Sequence, residues 1–270
     1  MKLKLLYIII LLSLLLAACS NDTSSPKNVD ESQETPNAES GKEVNFEDET
    51  IVEEIEELII PLYELNAIWD LQPISDANPK AVLLTIDDAP DKRALDMAKT
   101  LKKLDAPAIF FVNGHFIDTD EEKAILKEIY DMGFTIGNHT KTHANLKQLD
   151  EEQQKEEISF VSNTVEEVTG ERPKFFRAPF GVNTDFSKAL VEEDGMLLMN
   201  WSYGYDWEKQ YMDAAALTSI MVNTELLRNG SNLLMHDREW TADALKDIVE
   251  GLRAKGYEMI DPATIKGIEQ

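Results

Sequence analysis

The chain has 270 residues, 43% of them hydrophobic, which is enough to bury the core of one large domain and rules out wholesale disorder. Its 51 acidic and 26 basic side chains leave a net charge of −25, a surface that repels nucleic acid and anionic headgroups alike. One cysteine excludes a disulfide framework and any Cys-rich zinc site, and only four histidines are available for chemistry.

Lys2 and Lys4 precede an apolar run from Leu5 to Ala18, the layout of a secretory signal over residues 1–18. The run is shorter than the roughly 20 apolar residues a transmembrane helix needs. It ends in Leu16-Ala17-Ala18-Cys19, which resembles the lipobox of bacterial lipoproteins. That resemblance implies lipidation of Cys19 and an extracytoplasmic domain anchored to the membrane. An ordinary cleaved signal, or an uncleaved anchor with an incidental cysteine, is the alternative. Two acyl chains hold a protein stably, whereas one gives marginal binding.

Residues 19–45 are dominated by Ser, Thr, Asn, Asp, Glu and Pro, with little to bury, and are expected to form a disordered acidic linker. Such a tether reaches roughly 30 Å. Residues 46–78 follow as helix and connection. Ile51, Ile55, Leu58, Ile59 and Leu62 recur at helical spacing, which predicts an amphipathic helix within Phe46–Leu71, kinked or broken at Pro61. It is expected to pack on the main domain, with a partner-binding helix as the alternative.

The main domain is expected over residues 79–270. Strand candidates at Ala81–Ile86, Ala108–Val112, Phe134–Gly137, Lys174–Arg177, Met196–Asn200, Asn232–Met235 and Tyr257–Ile260 alternate with helical stretches, including Lys92–Leu104, Glu121–Met132, Glu151–Val168, Asp213–Leu227 and Ala242–Lys255. This predicts an α/β fold with a parallel sheet, best arranged as a deformed or incomplete (β/α)7 barrel. In such folds chemistry collects at the C-terminal ends of the strands. The polar residues there are Asp87 and Asp88, His139 and His143, Arg177, Asp206 with Trp207, and His236. Three histidines and a carboxylate pair on one rim point to a metal hydrolase.

His139 and His143 are four apart, so a helical turn would project both imidazoles from one face. With one aspartate they make a set that suits Zn²⁺, and also Co²⁺, Fe²⁺ or Mn²⁺. Alone the spacing is weak; beside Asp87-Asp88 it gains specificity. Successive residues on a strand diverge, so one aspartate can ligate while the other faces substrate. A metal and an arginine would compensate the paired negative charge.

These residues carry a resemblance to the polysaccharide deacetylases of the NodB-homology type, carbohydrate esterase family 4, over roughly Pro79 to Asp261. Thr85-Ile86-Asp87-Asp88, His139 through His143, Arg177-Ala178-Pro179-Phe180, Asp206-Trp207 and Leu234-Met235-His236 match the five family motifs in order. The resemblance implies that Asp88, His139 and His143 hold a divalent metal and that Asp87 is the general base. It implies that His236 is the general acid, that Arg177 pairs with Asp87, and that Asp206 orients His236. The backbone N–H of Phe180 would stabilise the oxyanion, and Trp207 and Leu234 would wall a pocket for the acetyl methyl. Two positions depart from the family pattern. Ala89 stands where glycine is usual, and Tyr203 where an aspartate often precedes Asp206; both bear on the groove. His115 matches no family ligand, and Trp69, Tyr203, Tyr205 and Trp240 are candidates to stack on sugar rings.

The function implied is metal-dependent deacetylation of N-acetylglucosamine units in a cell-surface polysaccharide, peptidoglycan first, because a tethered domain meets the wall. The expected partners are that polysaccharide and the membrane through the lipid anchor, with no nucleic acid, and the chain is expected to be a monomer. An O-acetyl esterase acting on xylan or another acetylated glycan is the enzymatic alternative. A non-catalytic glycan-binding lipoprotein is the alternative of another class.

Overall fold

In the computed structural model, which describes residues 60–74 and 76–268, the first elements are two short strands, β1 (Tyr63–Leu65) and β2 (Leu71–Pro73), paired antiparallel. This corrects the C-terminal part of the expected helix. Pro61 cannot continue a helix, and Asn66 builds a turn instead, its Oδ1 accepting the N–H of Ile68 and of Asp70 while Trp69 takes φ 70°. The lipobox with Cys19, the acidic linker and the helix read up to Ile59 lie outside the described residues.

Beyond the hairpin, β3 (Ala81–Ala89), β4 (Ile109–Val112), β5 (Thr135–Asn138), β6 (Phe175–Phe176), β7 (Leu197–Leu198), β8 (Asn232–His236) and β9 (Glu258–Met259) make one sheet with every pairing parallel. The order is β7-β6-β5-β4-β3-β8, with β9 paired to the first residues of β3. Helices α1 (Ala94–Lys103), α2 (Asp120–Asp131), α3 (Glu151–Thr169), α4 (Asp185–Glu193), α5 (Ala214–Asn223) and α6 (Glu239–Ala254) connect the strands. All seven expected strands are present, and α4 is additional to the helices read from the sequence. Among the described residues no helix is long and apolar enough to cross a membrane.

After β7 the chain crosses between the margins of the sheet. Met199 N–H donates to Phe176 C=O, Ser202 N–H to Asn232 C=O, and Leu234 N–H to Tyr203 C=O. This segment joins the β6 side to β8 and curls the sheet into the expected deformed barrel. Alternation along β3 sorts its side chains. Val82, Leu84 and Ile86 pack outward with Met97, Leu101, Leu245 and Ile248 of the helices. Ala81 and Leu83 face inward with Ile109, Phe111, Phe175 and Met199, so Thr85 and Asp87 continue the inner face.

Tyr63 and Leu71 belong to that inner cluster, so the hairpin stoppers the end of the barrel where the strands begin. It is fastened there by Asp70, which is buried. Its carboxylate accepts from Arg228 at 2.6 and 3.0 Å and from Ser202 Oγ at 2.5 Å. Asp70→Ala leaves the Ser202 hydroxyl and the half-exposed Arg228 without their acceptor, and is expected to lower stability by about 1–3 kcal/mol in urea unfolding. An unchanged midpoint would show that this clasp does not hold the hairpin.

Candidate active site

The register of the sheet brings the chemistry to one level. Asp87 pairs with His236 across β3 and β8, and Asn138 pairs with Phe176 across β5 and β6, so His139 and Arg177 follow at the same rim. At the centre lies Arg177, the largest fully buried side chain. Its Nη1 donates to Asp87 Oδ1 at 2.7 Å and to Thr85 Oγ1 at 2.8 Å; its Nη2 donates to Asn200 C=O at 2.8 Å and Asn232 Oδ1 at 3.3 Å. The guanidinium lies 4.3 Å from the Phe111 ring centroid, a cation–π contact inside the barrel. Burial pulls the Arg177 pKa down, and Asp87 opposes that fall. With Oδ1 committed to arginine, Asp87 presents Oδ2 to the rim, 3.6 Å from His139 Nε2.

Asp88 turns away from this pair because its backbone takes φ 61°, outside the strand range. Its Oδ1 lies 3.6 Å from His143 Nε2 and 3.9 Å from His139 Nε2, and its Oδ2 accepts from Arg238 at 2.7 Å. One donor atom from each of Asp88, His139 and His143 lies within 4.8 Å of the others, a spread that one cation can draw together. The donor chemistry also fits a divalent metal. His139 Nδ1–H donates to Arg177 C=O at 2.7 Å, which leaves the lone pair on Nε2. Burial, with His139 adding, holds the His143 pKa below its ordinary value and so favours the neutral imidazole. Burial works against the charge on Asp88, but His139, His236, His143 and Arg238 together bring its pKa below the usual carboxyl value.

The two imidazoles do not share a helical face, and that expectation is corrected. Residues 139–144 form an irregular loop in which Thr140 has φ 68° and His143 φ 58°. The loop, not helical periodicity, turns both rings inward, their centroids 5.0 Å apart.

Across the rim, His236 Nδ1–H donates to Asp206 Oδ1 at 2.7 Å, and Asp206 Oδ2 accepts from the His236 backbone N–H at 2.6 Å and from Thr241 Oγ at 2.8 Å. Burial alone would depress the imidazole pKa, but the Asp206 hydrogen bond and charge, with Asp87 and Asp88 adding, raise it above the ordinary value. Trp207, half-exposed, sets its ring edgewise to His236 at 5.5 Å, and Leu234 is buried below. Phe180, with φ 59°, is 63% exposed and meets His143 edgewise at 4.9 Å.

Other sequence candidates fall away from the site. The His115 ring is exposed, donates Nδ1–H to Lys141 C=O at 3.0 Å and lies beside Phe116. Tyr203 is buried with its hydroxyl on Met221 C=O, so it packs in the core and is no sugar platform, while Trp240, partly buried, donates Nε1–H to Asp206 C=O. Ala89 is fully buried inside β3 without a positive φ, so this position does not demand glycine. Sequence reasoning missed Arg238, Asn200 and Asn232. It also missed Asp237, whose carboxylate accepts the N–H groups of Lys92 at 2.8 Å and Arg93 at 2.6 Å and so caps α1, which has no side-chain cap of its own. Asp237 and Arg238 directly follow His236 on the rim, which was the one available signal.

The description "Polysaccharide deacetylase" belongs to the family whose model matches residues 75–199, a span that stops before Asp206 and His236. A peptidoglycan-N-acetylglucosamine deacetylase from Bacillus cereus is 30% identical over 187 residues, covering 66% of this chain and 68% of that protein. The chain belongs to the polysaccharide deacetylase family. Among solved structures, a family 4 carbohydrate esterase from Streptomyces lividans in complex with acetate superposes with TM-score 0.60 at 26% identity, covering 67% of this chain and 91% of that one. A CE4-family pseudoenzyme from Bacillus anthracis superposes with TM-score 0.62 at 25% identity, covering 72% and 67%. In this deacetylase the half of the rim beyond the matched span is built from β8 and the segment that closes the barrel.

The raised pKa of His236 has a direct check. Its imidazole is expected to titrate at higher pH than an ordinary histidine, and at lower pH in Asp206→Ala than in the parent. Histidine-resolved NMR titration of the metal-free protein reads both. An unmoved titration in the variant would remove Asp206 as the cause.

Proposed function

We propose that this polysaccharide deacetylase removes acetyl groups from N-acetylglucosamine units of a cell-surface polymer, peptidoglycan first, with Asp87 as base and His236 as acid. The observation that carries the reading is the convergence of Asp87, Asp88, His139, His143 and His236 on one rim, in environments suited to a base, a metal site and an acid. Asp88, His139 and His143 would hold a divalent cation, with zinc the ion this donor set suits best. Bound there, such an ion supplies Lewis acidity toward water and the amide carbonyl.

The remaining steps belong to the chain's own groups. Asp87, pinned through Oδ1 by Arg177, uses Oδ2 to take a proton from the attacking water. The N–H of Phe180 donates to the oxyanion as the carbonyl carbon becomes tetrahedral. His236, with Nδ1 engaged by Asp206, gives the proton on Nε2 to the amide nitrogen, which must be protonated to leave as an amine. Acetate and a free amine result. Trp207 and Leu234 line the space for the acetyl methyl. Peptidoglycan is supported by the B. cereus relative, itself a peptidoglycan-N-acetylglucosamine deacetylase, and by the lipobox-like sequence at Cys19.

Acetate release separates this proposal from its rivals. Release is expected from N-acetylglucosamine oligomers and peptidoglycan and not from acetylated xylan; the reverse pattern makes the protein an O-acetyl esterase. Asp87→Asn is expected to lower turnover by about 10²–10⁴-fold while metal stays bound, whereas His143→Ala loses both. Turnover surviving in Asp87→Asn would overturn the base assignment.

The anchor is proposed on the sequence alone. Cys19→Ser is expected to move the protein from the membrane fraction to the soluble one and to abolish lipid labelling. An unchanged membrane fraction would assign anchoring to the apolar run instead.

A further inference from the structure

The loop that carries both metal-site imidazoles holds an unfavourable backbone. Thr140 at φ 68° and His143 at φ 58° are non-glycine residues in the left-handed region, and Thr140 is β-branched as well. Each such residue costs of order 1–3 kcal/mol and persists only where its surroundings over-determine it. The first half of the loop is fixed from β5 and from the residues that follow β4. Asn138 Oδ1 accepts the Thr140 N–H at 2.9 Å, and Asn113 Nδ2 donates to the carbonyls of His139 at 2.6 Å and Thr140 at 3.2 Å. Gly114 and His115 N–H groups donate to the carbonyls of Thr140 and Lys141. A Cβ at Gly114 would sit 2.8 Å from Lys141 Cα, so the two backbones are in close contact.

The second half, next to His143, is held differently. Thr142 gives its N–H to Glu157 Oε2 at 2.8 Å and its hydroxyl to Glu157 Oε1 at 2.6 Å. Glu157 lies on α3, 8% exposed, on a helix whose neighbouring Glu151, Glu152 and Glu156 face solvent. Burying a carboxylate is unfavourable unless its oxygens are satisfied. Here both oxygens are spent on one residue, the one that immediately precedes a metal-site histidine. The adjacent Glu156 makes only an exposed ion pair with Lys141 at 2.8 Å, of the kind that contributes little.

We propose that Glu157 is a positioning residue for the metal centre: by clamping Thr142 it holds His143 in its left-handed conformation with Nε2 aimed at the site. The inference rests on the metal reading of Asp88, His139 and His143, and its test measures the ion directly. Zn²⁺ affinity is measured by chelator competition, and the absorption spectrum of the Co²⁺-loaded chain reports ligand geometry. Glu157→Ala is expected to weaken Zn²⁺ binding by about 10- to 100-fold, the range found when groups that orient metal ligands are removed, and to alter the Co²⁺ spectrum. Glu157→Gln keeps one acceptor oxygen and is expected to recover part of the affinity, while Glu156→Ala leaves affinity and spectrum unchanged. Glu157→Ala affinity within twofold of the parent, or a loss matched by Glu156→Ala, would overturn the proposal. Should Glu157→Ala fail to fold, Thr142→Val removes only the hydroxyl donor. That variant is expected to weaken Zn²⁺ severalfold and shift the Co²⁺ spectrum; wild-type affinity and spectrum there would equally overturn it. A parent chain that binds neither ion would refute the metal reading itself, and this proposal with it.

Discussion

A guanidinium sealed inside the barrel is the constraint on which the rest of this structure depends. Arg177 is fully buried and reaches β3 through Thr85 and Asp87, the closing segment through the Asn200 carbonyl, and β8 through Asn232. Its own carbonyl accepts the Nδ1 proton of His139. One residue therefore fixes the proposed base with its side chain and a proposed metal ligand with its backbone. Burying such a pair is a poor route to stability, because desolvation opposes most of the Coulombic gain. What it contributes is position: the carboxylate of Asp87 cannot rotate without abandoning the charge beneath it.

Around that centre, adjacent aspartates are separated into different roles by backbone conformation. Asp87 follows the inward alternation of β3, while Asp88, at φ 61°, swings its carboxylate toward two imidazoles and Arg238. The opposite wall repeats the arrangement with different chemistry, since Asp206 binds both the ring and the backbone of His236. The environments push in opposite directions, with His143 below and His236 above the ordinary histidine value. That divergence favours the neutral imidazole at the proposed metal ligand and the protonated one at the proposed acid.

Most of the barrel was legible in the sequence, because buried parallel strands are short apolar runs and their rim residues follow directly. Asp87, Asp88, His139, Arg177 and His236 were placed by that rule alone. What failed depended on contacts between residues distant in the chain. The apolar spacing around Leu62 looked helical, yet Pro61 and the Asn66 turn divert it into a hairpin fastened by Asp70 to Arg228. The four-residue spacing of His139 and His143 suggested a helical turn, whereas left-handed residues clamped from β5, α3 and the segment after β4 shape the loop. Tyr203 looked like a groove aromatic because exposure is not written in residue type. Asp237 capping α1 was signalled only by its place directly after His236, and Glu157 holding Thr142 had no local signal at all.

The central claim is that two imidazoles and one aspartate share a single divalent ion at the rim. X-ray absorption spectroscopy of the zinc-loaded protein tests it most directly. The account predicts one ion per chain with scattering from two imidazole rings and oxygen donors, and loss of that signal in His139→Ala. Zinc bound without imidazole scattering, or a spectrum unchanged by that substitution, would contradict it.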